Sequence, residues 1–200
     1  RDLINYSCQL YNDQNINFNS KNVQRDLIEF FKDRFKNLMK EKQIRNDIIE
    51  SALLDYNIDN ILKTYKKTLF LNKLILKETG KDIISSYKRA SNILNDELKN
   101  NKLVIVGSAD PGLFKNEFEK NLYKKIHNIR KIFTSIGRED NYEMLLKTLA
   151  SAKEEVSNFF ENVIVNDEDE IIKKNRLELL QMLCKTYDNY LNFSKVESSL

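Results

Sequence analysis

One proline (Pro111) and four glycines (Gly80, Gly107, Gly112 and Gly137) punctuate a chain of 200 residues. Strand-rich domains reverse direction often, and tight turns draw on Gly and Pro. So small a supply favours long helices joined by few loops. At 41% hydrophobic and 32% charged residues, the chain has the make-up of a soluble globular protein rather than a disordered one. Its length allows one or two domains with a sizeable core.

Hydrophobic spacing fills in that expectation. Arg1 to Tyr11 reads as a short helix, and Asn12 to Asn22 as a polar connector. Leu27, Phe30, Phe31, Phe35, Leu38 and Met39 predict a helix from Val23 to about Lys42. Ile48, Ile49, Ala52 and Leu53 predict a shorter one over Ile44 to Tyr56. Asn57 is a start signal for a third, whose stripe is Ile61, Leu62, Tyr65, Leu69, Leu74 and Leu76, with Gly80 as its stop. Further helices are expected over Asp82 to Lys99, Leu113 to Ile136 (closed by Gly137), Tyr142 to Val163, and Asp169 to Asn192. Leu103 to Val106 is short, isolated and followed by Gly-Ser-Ala-Asp-Pro-Gly, so it reads as loop or extended chain. The expected fold is all-α, in two consecutive helical halves: a connector at 1–22, an upstream bundle at 23–100, a loop at 101–111 and a second bundle at 112–200.

Charge is distributed more unevenly than the net value of +3 implies. Lys63 to Arg89 holds eight cations against Glu78 and Asp82, and Lys115 to Arg138 holds seven against Glu117 and Glu119. Glu139 to Glu170 holds ten anions against Lys147 and Lys153. One region can attract a phosphate backbone while another repels it. The alternative is solvated helix faces with pairing between helices. The 25 Asn and 25 Lys against eight Arg reflect a compositional bias that weakens arguments from lysine number alone. Cys8 and Cys184 lie at apolar helical positions and read as buried free thiols, which suits a reducing cytoplasm. No apolar run approaches the roughly 18 residues of a membrane span. The chain opens on Arg1 rather than Met, which reads as part of something longer.

No nucleophile–base pair can be assembled, so no catalytic residue is expected. His127 lies mid-helix among Lys124, Lys125 and Arg130, with no second imidazole beside it to share a metal. Asp167, Glu168, Asp169 and Glu170 invite a cation, but four carboxylates at a helix start also complement its dipole, and Asp167 with Glu170 has capping-box spacing. Capping is the preferred reading, and no metal site is assigned.

The stretch Asn158 to Val196 is more specific. It runs Phe159-Phe160, then Val163-x-Val165, an acidic cluster, and Asn175-Arg176-Leu177-x-Leu179-Leu180. In that order it resembles the helical, DALR-type anticodon-binding module of the beta-subunit family of bacterial glycyl-tRNA synthetases, itself related to the module of arginyl-tRNA synthetases. Three further blocks carry the resemblance upstream: Phe30-Phe31-x-x-Arg34 with Arg45-x-Asp47-Ile48-Ile49, Tyr87 to Leu94, and Leu113-Phe114 with Glu119-x-x-Leu122-Tyr123. Arg1 to Asn22 carries none of it.

The resemblance implies a subunit of an alpha2-beta2 glycine–tRNA ligase. In such an assembly the alpha subunit performs ATP-dependent glycylation, and ATP and Mg are expected there, with no cofactor here. The beta subunit holds tRNA(Gly) and reads its anticodon. Unpaired bases are read by stacking on rings and hydrogen bonding at their edges, with cations on the phosphates. Glycine anticodons end in two cytosines, whose edges Asn, Arg and Glu can satisfy. Candidate RNA contacts are Lys88, Arg89 and Asn92 on one helix, Tyr123, Lys124 and Arg130 on another, and Lys173, Lys174, Asn175 and Arg176 on the last. Tyr123 has an alternative as a core ring with its hydroxyl outward, and Arg176 as partner of a nearby carboxylate. Two other readings stay open for the whole chain: a module that docks synthetase subunits without reading the anticodon, and the arginyl-type module.

Overall fold

The computed structural model describes residues 2–53, 60–101, 107–136, 142–189 and 192–197. Nine α-helices and no strand occur among them. The expected extended stretch at 103–106, the start signal at Asn57 and the stop at Gly137 lie outside the described residues. The chain divides into two compact units, residues 1–72 and 73–200.

In the first unit, α1 (Asp2–Asp13) packs on α2 (Ser20–Glu41), which packs on α3 (Asn46–Leu53). Asn19 caps α2 by accepting the Asn22 N–H at 3.1 Å, which sets its start before the expected Val23. Phe35, Met39, Ile44, Ile48 and Ile49 form the buried core. Leu27, Phe30, Phe31 and Leu38 are exposed instead. They share the spacing of Phe35 and Met39 but lie outside the strip that α1 and α3 cover; the Arg34 guanidinium lies 5.1 Å from the Phe30 ring. The buried side of α4 (Ile61–Leu74) also departs from expectation. Ile61 and Leu62 are exposed, while Thr64, Thr68, Leu71 and Leu74 are buried. Thr68 can be buried because its hydroxyl donates back to the Thr64 carbonyl at 2.8 Å.

The second unit is organised around its last helix. Twelve of the 19 residues of α9 (Glu170–Asp188) are buried, so neighbours surround it rather than flanking one side. α5 (Glu78–Asn101) and α6 (Glu117–Ile136) pack against it, and α8 (Lys153–Asn162) packs on α6 and α5. Because α5 packs on α9, the division between units falls at residues 72/73 rather than at the expected 101–111 loop. Tyr87, Tyr187 and Phe193 close one end of this core, with ring centroids 5.6 to 6.5 Å apart. The Tyr87 hydroxyl donates to Asp188 Oδ2 at 3.0 Å. Burial pushes the Cys184 thiol up to about 12, so it stays protonated and inert.

Local chemistry explains three boundaries that differ from expectation. Asn116 and Glu119 form a reciprocal capping box, the Glu119 N–H to Asn116 Oδ1 at 3.1 Å and the Asn116 N–H to Glu119 Oε2 at 3.0 Å. That starts α6 at Glu117, after a separate 3-10 turn at Pro111–Leu113. The helix expected over Tyr142 to Val163 is two, α7 (Tyr142–Ala150) and α8, broken where the Ser151 hydroxyl donates to the Thr148 carbonyl and Ala152 is fully buried. Gly80 does not stop α4. It sits in the first turn of α5, where a Cβ would collide with the Leu74 carbonyl.

Leu177 is completely buried on α9. Leu177→Ala is expected to cost about 2–5 kcal/mol of unfolding free energy, read by urea denaturation followed by circular dichroism, with the urea m-value unchanged.

Candidate nucleic-acid interface

The structure divides the ten sequence-derived candidates into buried and accessible groups. Arg176 is in the interior, its side chain 7% exposed. Its Nε donates to Glu119 Oε1 at 2.6 Å, and its Nη1 donates to the Ile164 carbonyl at 2.8 Å and to Asp167 Oδ2 at 2.5 Å. Lys173 is buried against Glu97 at 2.9 Å. Asn175 is buried and pairs both backbone groups of Asp110, accepting its N–H at 2.6 Å and donating to its carbonyl at 3.1 Å. These three are corrected from RNA contacts to ties within the fold. Their spacing on α9, a central helix, turns them inward, and a buried charge is tolerable only when paired.

The acidic cluster beside them is likewise structural, with its parts exchanged. Asp169, rather than Asp167, caps α9 by accepting the Ile171 N–H at 2.9 Å. Asp167 Oδ1 accepts the Asp169 N–H at 3.0 Å. That hydrogen bond chiefly, and then Arg176, holds the Asp167 carboxyl below its ordinary value of 3.8.

The accessible candidates are Arg89, Asn92, Lys124 and Lys174, all exposed, with Lys88, Tyr123 and Arg130 half-buried. Arg89 lies over the Phe160 ring at 4.4 Å, which fixes its guanidinium while leaving it in contact with solvent. Tyr123, Lys124 and Arg130 come together on α6, along with residues not named as RNA contacts from the sequence. With 100° per residue, Lys120, Lys124, His127 and Lys131 form one row at steps of four, three and four. Tyr123, His127, Arg130 and Thr134 form the adjoining row. Lys120, His127, Lys131 and Thr134 are exposed. The Tyr123 and His127 rings pack at 4.3 Å between centroids, and Phe114 backs Tyr123 at 5.4 Å. Among the described residues, none of Lys120, Lys124, Arg130 or Lys131 is in an ion pair, whereas Lys125, on another side of the helix, pairs with Glu155 at 2.9 Å.

Two depressions flank α6. The groove toward α8, about 440 Å³, sets Glu117, Glu154 and Glu155 beside Lys124 and Lys125, among Asn121, Asn128 and Asn158. The notch toward α9, about 410 Å³, is lined by Arg130, Phe133, Thr134, Lys185, Thr186 and Asn189, with no carboxylate among the described residues. Chemically, the α6 face combines unneutralised cations with a supported aromatic pair. That is the equipment for holding a single-stranded polyanion and stacking its bases. Charge-run counting located the segment, but only projection around the helix reveals Lys120, His127 and Lys131 as part of it.

Residues 83–198 match the family model described as DALR anticodon binding domain, and the chain belongs to that family. It is similar to the glycine–tRNA ligase beta subunits of Rickettsia africae, at 36% identity over 197 residues, and of Rickettsia canadensis, at 35% over 198, each match covering 98% of this chain and 27% of the relative. The subunit of Rickettsia prowazekii is 32% identical over 196 residues, with the same shares. The chain therefore spans about a quarter of the length of these relatives. No described helix is long and apolar enough to cross a membrane.

Arg176→Ala leaves Glu119 buried without its counter-charge and is expected to cost about 3–5 kcal/mol, measured by chemical denaturation. Lys120→Ala and Lys124→Ala should leave the unfolding midpoint unchanged.

A carboxyl held low in the fold contributes stability that is present above its unfolded value and lost as pH falls through its folded value. The stability difference between the wild type and Asp167→Asn should therefore be full above about pH 5 and shrink below pH 3.8. Thermal melts at a series of pH values would measure it.

Proposed function

We propose that this chain is the tRNA-binding, anticodon-reading part of a glycine–tRNA ligase beta subunit, contributing grip and readout and no catalytic group. The observation that carries the reading is the α6 face. Among the described residues its lysines and Arg130 are left without acidic partners beside the packed rings of Tyr123 and His127, in a chain of an anticodon-binding family. Charges that serve only the fold are neutralised here, as those of Arg176 and Lys173 are. The α6 row keeps its charge for a partner outside the fold.

On this reading the partner is the anticodon arm of tRNA(Gly), with phosphates along the α6 cations and loop bases over the Tyr123–His127 pair. Arg89, Asn92 and Lys174 are further contacts at the margins. A separate alpha subunit, in an alpha2-beta2 assembly in the cytoplasm, activates glycine with ATP and Mg and transfers it. The similarity to glycine–tRNA ligase beta subunits along 98% of the chain favours glycine over arginine as the cognate amino acid.

A second reading, subunit docking, draws support from a different place. Leu27, Phe30, Phe31 and Leu38 expose an apolar face on α2 in the first unit. Docking there is compatible with RNA binding by the second unit, and it becomes the main function only if RNA binding fails.

The test is a fluorescence-anisotropy titration of the chain with tRNA(Gly) transcript and with a transcript whose two anticodon cytosines are uridines, across a range of KCl. Tighter binding of the first is expected, with the logarithm of affinity falling linearly with the logarithm of salt. Lys120→Gln with Lys124→Gln should reduce that slope by about one to two units. Equal affinity for both transcripts refutes readout, and no affinity for either refutes RNA binding and leaves docking.

A further inference from the structure

We propose that the notch between α6 and α9 seats one backbone phosphate of the bound RNA, with the Arg130 guanidinium and the Lys185 ammonium as its charged walls. The inference rests on the RNA-binding reading above and goes further, naming one chemical group and the residues that receive it.

Arg130, on α6, is tied to α9. Its Nε donates to Thr186 Oγ1 at 2.7 Å and its Nη2 to the Met182 carbonyl at 3.0 Å. Both acceptors are on α9 and both are neutral. They fix the plane of the guanidinium without cancelling its charge, and Nη1 has no acceptor among the described residues. Burial withdraws water from the group and pulls its pKa below the ordinary value. A cation that is oriented, partly desolvated and without a counter-ion is a preformed receptor for an anion. Thr186 is held in turn by donating to the Met182 carbonyl at 2.7 Å, so the receptor does not need to reorganise on binding.

The rest of the notch agrees in sign. Among the described residues Lys185 bonds the neutral Gln181 Oε1, at 2.8 Å, and Asn189 adds a carboxamide donor to the lining. Asp188, the nearest acid along the chain, is not part of the lining and accepts the Tyr87 hydroxyl from α5. The α8-side groove differs, because its three carboxylates outnumber Lys124 and Lys125 and leave it without a net positive charge for a phosphate. Arg130 also continues the Tyr123–His127 row. A strand whose bases lie on those rings runs its backbone toward the notch, about 10 Å further along the helix axis. Phosphate contacts position and base contacts specify; the notch is assigned the positioning role.

The experiment compares the full wild-type chain with Lys185→Gln, Arg130→Gln and the double variant, with Lys147→Gln as a control at a surface pair with Glu143. Affinity is measured by anisotropy across a KCl series with the tRNA(Gly) transcript and its uridine-substituted counterpart, and folding is checked by circular dichroism. Each notch variant is expected to weaken binding of both transcripts equally and to lower the salt slope by about 0.7–0.9 per charge removed. The control should match the wild type. Lys185 is exposed and its side chain bonds only Gln181 among the described residues, so Lys185→Gln decides the matter even if Arg130→Gln unfolds. A folded Lys185→Gln with wild-type slope, or a loss confined to one transcript, overturns the phosphate seat while RNA binding stands. A wild-type chain that binds neither transcript overturns both.

Discussion

One guanidinium joins three separated pieces of the second unit. Arg176 on α9 reaches Glu119 at the first turn of α6, and the carbonyl of Ile164 and the carboxylate of Asp167 in the connector that leads into α9. Glu119 shares its other oxygen between the Lys115 and Asn116 N–H groups, so a single carboxylate caps a helix and neutralises a buried cation. Removing either partner strands the other in a low-dielectric interior. The direction in which α6 leaves this junction decides which of its sides meets solvent, and the basic row with Tyr123 and His127 follows from it.

The molecule keeps two populations of cations apart. Those of α9 that face inward have carboxylate partners and hold the fold. Those of the outer face of α6 have none among the described residues, and they lie beside rings that support one another. Polyanion binding gains from cations that are fixed but unneutralised, since a paired lysine must break its pair before it can release a phosphate's counter-ions. Asn175 extends the first population without charge. By satisfying both backbone groups of Asp110 it holds the loop before α6 against α9, where Ala109 is buried.

Much of the fold was legible in the sequence for a simple reason: with one proline and four glycines, little but helix remains open to the chain. Helix identities followed from periodicity, while boundaries depended on contacts that periodicity does not carry. The Asn116–Glu119 capping box was readable as a local motif, yet the apolar Leu113 and Phe114 upstream of it suggested a longer helix. The unit boundary was hidden because α5 is joined to α9, some ninety residues later. The candidate site was half legible. Tyr123, Lys124 and Arg130 are on the α6 face, but Lys173, Asn175 and Arg176 are basic or polar for the opposite reason. A sequence does not disclose whether an arginine faces a carboxylate or water until its helix is known to be central.

The central position of α9 also bears on how the second unit comes into being. Its core is closed by the helix nearest the end of the sequence, together with Phe193 and Val196. During synthesis, α5 emerges with its apolar side uncovered and waits for more than half of the unit's length before α9 leaves the ribosome, and α6 waits for a shorter stretch. The first unit, whose contacts are between successive helices, has no such delay. The interval exposes the nascent second unit to chaperones and to chance associations, and it makes the basic outer face one of the last features to acquire its shape.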